Sequence, residues 1–109
     1  MSKTLYGSVT VEVGDDSYEL IPTLGAVRSI EARFGGLRGA SQTLNALSVD
    51  GAAHIIASGA GLTGKQAEAL PEKVWKAGIL DISVQLNAFL VALYNPRGTE
   101  KGNDQAGAE

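Results

Sequence analysis

The apolar residues of this chain change period once, at Pro22-Thr23. Before that point Leu5, Gly7, Val9, Val11 and Val13 share one parity, while Tyr6, Ser8, Thr10 and Glu12 share the other. After it, apolar residues recur every three or four positions. A period of two belongs to a half-buried strand, and a period near 3.6 to an amphipathic helix. Strands therefore come first and helices follow, the segregated pattern of an α+β domain. The expected fold is an N-terminal β-hairpin followed by a compact bundle of four or five short helices. A hairpin is marginal alone, so its apolar face must lie on those helices or pair with another chain.

The hairpin occupies residues 4–21, with strands over 4–13 and 17–21. Gly14-Asp15-Asp16 supplies the turn, and the two aspartates read as turn chemistry, because a metal site needs more oxygen ligands than this segment offers. Thr23 is placed to cap a first helix over 24–34. Leu24, Ala26, Val27, Ile30 and Phe34 form its apolar face, and Arg28, Ser29 and Glu31 lie mostly opposite. Gly35-Gly36 ends it. A second helix is expected over 40–48 with Leu44 and Leu47 inward. Asp50 is the expected N-cap of a third, whose stripe is Ala53, Ile56, Ala57 and Ala60, with Gly59 and Gly61 weakening its end.

Thr63-Gly64-Lys65-Gln66 fits a capping box. Pro71 then divides the pattern into a turn of helix at 64–69 and a helix over 71–77. The last helix runs over 79–94. Ile79, Ile82, Leu86, Phe89, Leu90 and Leu93 form a wide stripe that Val84 and Val91 extend, which makes it the expected centrepiece of the core. Asn95-Pro96 stops it. Residues 95–109 contain no large apolar side chain after that stop and are expected to be a disordered polar tail. The domain reading is thus one folded unit, 1–94, with helices over 24–94.

Composition narrows the function classes. The chain has 109 residues, 44% of them hydrophobic, enough for a single core. Nine Lys+Arg against twelve Asp+Glu give a net charge of −3, which argues against a dedicated nucleic-acid binder. No apolar run is long enough to span a membrane. The opening MSKTLYG lacks the apolar region of a secretory signal, so a cytoplasmic location is expected. There is no Cys, hence no disulfide, thiolate or sulfur-ligated metal.

Gly59-Ala60-Gly61-Leu62-Thr63-Gly64-Lys65 satisfies both G-x-G-x-x-G and G-x-x-x-x-G-K. Phosphate binding there requires a preceding strand, and a Ser or Thr after the lysine. The residues from Gly51 to Ser58 read as helix, and Gln66 follows the lysine, so interhelical turn glycines are the better reading. His54, the single histidine, has no second His or Cys to complete a zinc site. Serines 8, 17, 29, 41, 48 and 58 lack a nucleophile-elbow context, although triads assemble in space. Glu68 and Glu72, four apart, read as solvated neighbours. Phe34 and Phe89 read as core. Trp75, beside Lys73 and Lys76, reads as a core aromatic with an interface anchor as the alternative. No residue receives a catalytic, cofactor-binding or metal-binding role, and no cofactor is expected.

The segments Leu20-Ile21-Pro22-Thr23-Leu24-Gly25-Ala26 and Ile30-Glu31-Ala32-Arg33-Phe34-Gly35, with the later Gly59-Ala60-Gly61-Leu62, resemble a family of small tail proteins of phages and gene transfer agents. The resemblance covers residues 5–94. It implies a non-enzymatic role in tail morphogenesis, as a tail assembly chaperone that binds the tape-measure protein, tail-tube subunits, or both. It implies action in the host cytoplasm, with virion association for a structural tail component, the alternative role. The matched residues look architectural: Thr23 caps, Gly35 terminates and Phe34 packs. Glu31 and Arg33, two apart, do not face each other. Self-association is left open. A small helical regulator or DNA-binding protein is the remaining alternative, since a helix-turn-helix fits among several short helices.

Overall fold

A computed structural model describes residues 8–95. Two strands, β1 (Val9–Val13) and β2 (Asp16–Leu20), pair antiparallel. Gly14, at φ +63°, and Asp15 form the turn between them. The register sets Val9 opposite Leu20, Val11 opposite Tyr18 and Val13 opposite Asp16. Val11, Val13 and Leu20 are buried on the inner face, as the alternation requires. β2 starts one residue earlier than expected, because Asp16 pairs with Val13 and leaves the turn with two residues. Residues 4–7 of the expected first strand and 96–109 of the expected tail lie outside the described residues.

Five helices follow: α1 (Leu24–Phe34), α2 (Leu37–Asn45), α3 (Val49–Ala60), α4 (Gly64–Ala77) and α5 (Ile79–Tyr94). The fold is therefore α+β, with the hairpin ahead of five helices. α1 starts where Thr23 Oγ1 accepts from the Ala26 amide at 3.0 Å, and it ends at Gly35, at φ +78°, whose amide donates to the Glu31 carbonyl. α2 begins three residues before its expected start. Gly36, at φ +136°, becomes its N-cap directly after Gly35, so two adjacent glycines turn the chain from one helix into the next. α2 also ends early, and Leu47, at φ +60°, lies past its end and is exposed rather than inward.

The cap of α3 is Ser48, not Asp50. Ser48 Oγ accepts from the Gly51 amide at 2.9 Å, and Asp50 sits in the first turn, where a negative charge favours the helix start. The expected break at Pro71 does not occur, and α4 is one helix through the proline. Leu70 and Val74, one turn apart, are both fully buried. Burying each is worth about 1.5–3 kcal/mol, enough to offset the ~3 kcal/mol that an interior proline costs. Thr63 is the N-cap of α4 but makes no side-chain cap bond, so the capping box is not formed. Gly64 enters the helix at φ +60° and redirects its first turn.

One hydrophobic cluster draws on all seven elements. α3, not α5, is its centre. It packs against α1, α2, α4, α5 and β2, while α5 packs against α2, α3, α4 and β1. Gly59 has a packing role at the end of α3. It lies inside the helix where β2, α3 and α5 meet: a Cβ there would stand 2.8 Å from Phe89 Cζ and 2.9 Å from Leu20 Cβ. Its carbonyl also accepts from the Ile21 amide at 3.0 Å. At the other strand, Gln85 of α5 uses its side-chain amide as a partner for β1. Oε1 accepts from the Glu12 amide at 2.7 Å, and Nε2 donates to the Glu12 carbonyl at 3.1 Å. That pair occupies backbone groups an open sheet edge would otherwise present. Among the described residues no helix is long and apolar enough to cross a membrane.

Candidate functional site

Two places on the molecule bring together residues with functional potential. The first is a polar notch between α1 and α3. His54 and Ser58 are four apart on α3 and share a face, and Ser29 of α1 meets both. The Ser29 and Ser58 hydroxyl oxygens are 2.7 Å apart. His54 Nε2 lies 3.3 Å from Ser29 Oγ and 3.2 Å from the Ser29 carbonyl oxygen. Phe34 packs edge-on against the imidazole, with ring centroids 5.6 Å apart. An open cavity of about 340 Å³ adjoins these groups, with Leu62 and Thr63 also in its lining. Ser29 was expected on the outer side of α1; it is half-buried against α3 instead.

The carbonyl oxygen only accepts, so Nε2 bonds to it in the tautomer that carries the proton on Nε2, whereas the other tautomer accepts from the Ser29 hydroxyl. Asp50, one turn before His54, borders a neighbouring notch with Arg33 and Pro71, but no hydrogen bond joins it to the imidazole. These contacts form a hydrogen-bonded cross-link between two helices. The sequence carried half its signal, the four-residue spacing of His54 and Ser58, and none for Ser29, which only the packing of α1 supplies.

The Gly59–Lys65 segment closes α3 and opens α4. Gly61, at φ +72°, caps α3 and donates to the Ala57 carbonyl. A helix precedes the glycines where a phosphate loop has a strand, which agrees with the turn reading. Among the described residues no three His, Asp or Glu side chains gather as a metal site.

The second place is the outer face of α5. Val84 is 70% exposed, Leu80 67%, Val91 58% and Tyr94 56%. Val84 and Val91 were expected in the core stripe, and they lie on the opposite side of the helix from Ile82, Leu86, Phe89 and Leu93, which are buried as expected. At about 100° per residue, Leu80, Val84 and Val91 fall within about 40° of one another. Asn87 and Tyr94 flank that line on one side, and Ala88 on the other. Asp81, at the start, is the single charged residue of α5.

Trp75 is also a correction: it is 68% exposed on α4, not a core aromatic, which leaves the interface-anchor alternative. Leu24 is exposed rather than inward, and Phe34 is half-buried. The lysines beside Trp75 are both engaged by acids. Lys73 Nζ donates to Asp16 Oδ2 at 2.9 Å and to the Tyr18 hydroxyl at 3.4 Å, and Lys76 pairs with Glu72 at 3.0 Å. The hydrogen bond that Lys73 donates to Asp16, followed by the one it donates to Tyr18, holds its pKa above the ordinary 10.5. Arg33 lies over the Phe34 ring, 5.9 Å from its centroid.

Comparison of the chain with protein-family models, with curated proteins and with solved structures found no match in any of the three.

Proposed function

We propose that this chain is a non-enzymatic protein-binding factor of phage or gene-transfer-agent tail morphogenesis. In this reading it is a tail assembly chaperone that holds the tape-measure protein, tail-tube subunits, or both in the host cytoplasm until they assemble. The observation that carries the reading is the outer face of α5, a line of large apolar side chains left in solvent on a helix with one charge. Contiguous exposed apolar surface marks sites of protein association. A helix face of this kind takes the apolar stripe of another helix, and tape-measure proteins are long and helical. The resemblance at Leu20–Ala26 and Ile30–Gly35 supplies the biological setting.

The DNA-binding alternative is less favoured by the net charge of −3. Co-expression with the tape-measure protein of the same tail gene cluster, followed by affinity capture, tests the proposal. A complex weakened by Leu80→Ser and Val91→Ser together is expected. Absence of a complex, with tails of normal length and yield after gene deletion, refutes it. Stoichiometric presence in purified particles would favour the structural-component form.

A further inference from the structure

A trough runs over α3 between α1 and α4. Both of those helices pack against α3, and they scarcely meet each other. Two open cavities, of about 340 and 170 Å³, lie along this seam and share His54, Ala57 and Ala67 in their linings. Alanines of α3 and α4 floor the seam, where larger side chains would fill it. The larger cavity carries hydrogen-bonding groups without a lysine, arginine, aspartate or glutamate: the Ser29 and Ser58 hydroxyls, the His54 imidazole, and Thr63, whose hydroxyl makes no cap bond. The smaller cavity carries two opposite charges, Arg33 and Asp50. Ion pairs among the described residues join Lys73 to Asp16 and Lys76 to Glu72, and neither Arg33 nor Asp50 takes part in one. We propose that this trough binds a small zwitterion, a free α-amino acid with an uncharged hydrogen-bonding side chain.

A molecule that carries both a carboxylate and an ammonium answers the two charges at once. The Arg33 guanidinium presents a planar fork of N–H donors that matches a carboxylate, and its contact with the Phe34 ring uses none of them. The Asp50 carboxylate accepts from the ammonium. Ligands with one sign of charge fit less well: a phosphate meets repulsion from Asp50, and a simple amine meets it from Arg33. The side chain of the ligand then lies over Ala57 and Ala67 and ends among the hydroxyls. Each hydroxyl has one proton and two lone pairs, so the Ser29–Ser58 contact at 2.7 Å leaves bonding capacity for a ligand amide or hydroxyl. A charged side chain would find no opposite charge there. Small-molecule sites occupy roughly 300–1,000 Å³ and set a few convergent polar groups on an apolar lining, as the larger cavity does. No residue of α5 lines either cavity, so the inference stands apart from the function proposed above.

NMR titration of the isotope-labelled full chain at neutral pH with glutamine, asparagine, serine and threonine tests the site. Saturable shifts of the Ala57, Thr63 and Ala67 amides are expected with at least one of the four. Arg33→Gln and Asp50→Asn change exposed side chains, so circular dichroism should be unchanged. Each is expected to weaken that binding at least about tenfold. The N-acetyl and the carboxamide derivatives of the bound amino acid lack one charge each and should bind the unaltered chain at least about tenfold more weakly. Absence of saturable shifts with all four amino acids overturns the proposal. So does binding that survives both substitutions, or that the two derivatives match. Inorganic phosphate that gives the same shifts with equal affinity also overturns it, because the site would then read a negative charge alone. The function proposed above is judged separately: a chain that captures the tape-measure protein and binds no amino acid keeps that function without this site.

Discussion

α3 and α5 are the two most apolar helices of the chain, yet their surroundings differ. α3 is built of small residues, with Gly51, Ala52, Ala53 and Gly59 buried beside Ile55 and Ile56. Small side chains let neighbours close in, and four helices and a strand do so. α5 carries large apolar side chains on two opposite sides, and its neighbours cover only one. A helix that is apolar all round is ordinarily buried all round. The comparison teaches that α3 owes its central place to close approach, whereas the apolar content of α5 exceeds what this fold can cover.

Substitutions on the two sides of α5 sharpen the contrast most. Phe89→Ala removes a fully buried ring and is expected to cost about 3–5 kcal/mol in denaturant unfolding. Val84→Ser, five residues earlier on the outer face, should change the stability of the dilute protein by no more than about 0.5 kcal/mol. Equal losses at the two positions would mean that the outer face is covered within the single chain. Next in size is Gly59→Ala, which drives a methyl group into Phe89 and Leu20 and should lower stability by about 1–3 kcal/mol despite alanine's better helix propensity. A stabilised variant would break the account of α3 as a close-approach helix.

The smallest effect concerns the ion pair that ties α4 to the hairpin, away from both helices. Its folded Lys73 pKa is raised, so its contribution is present below pH 10.5 and is lost as pH rises through the higher folded value. Asp16→Asn is expected to return the Lys73 pKa toward 10.5 in an NMR titration of the side chain. No change would mean that the pair at 2.9 Å does not persist in solution.

Where local chemistry decides the conformation, the sequence was legible. Thr23 and Gly35 bound α1 as expected, and the alternation of Val9, Val11 and Val13 set the inner face of the hairpin. Pro71 shows the limit: a local rule breaks the helix there, and the burial of Leu70 and Val74 overrides it. The polar notch was half legible, since Ser29 reaches His54 only through the crossing of α1 and α3. Trp75 was misread because an aromatic beside a buried valine carries no mark of which side of α4 has a neighbour.

By itself the sequence determined the order of strands and helices, the hairpin's inner face and most helix ends. These follow from periodicity, caps and glycines, whose effects span a turn or two. Only the tertiary structure decided that α3 lies at the centre, that α4 runs unbroken through Pro71, and that Val84 and Val91 face solvent. Those outcomes depend on which faces meet across the chain. A helix with large apolar side chains on two opposite sides cannot specify which of them will find a partner.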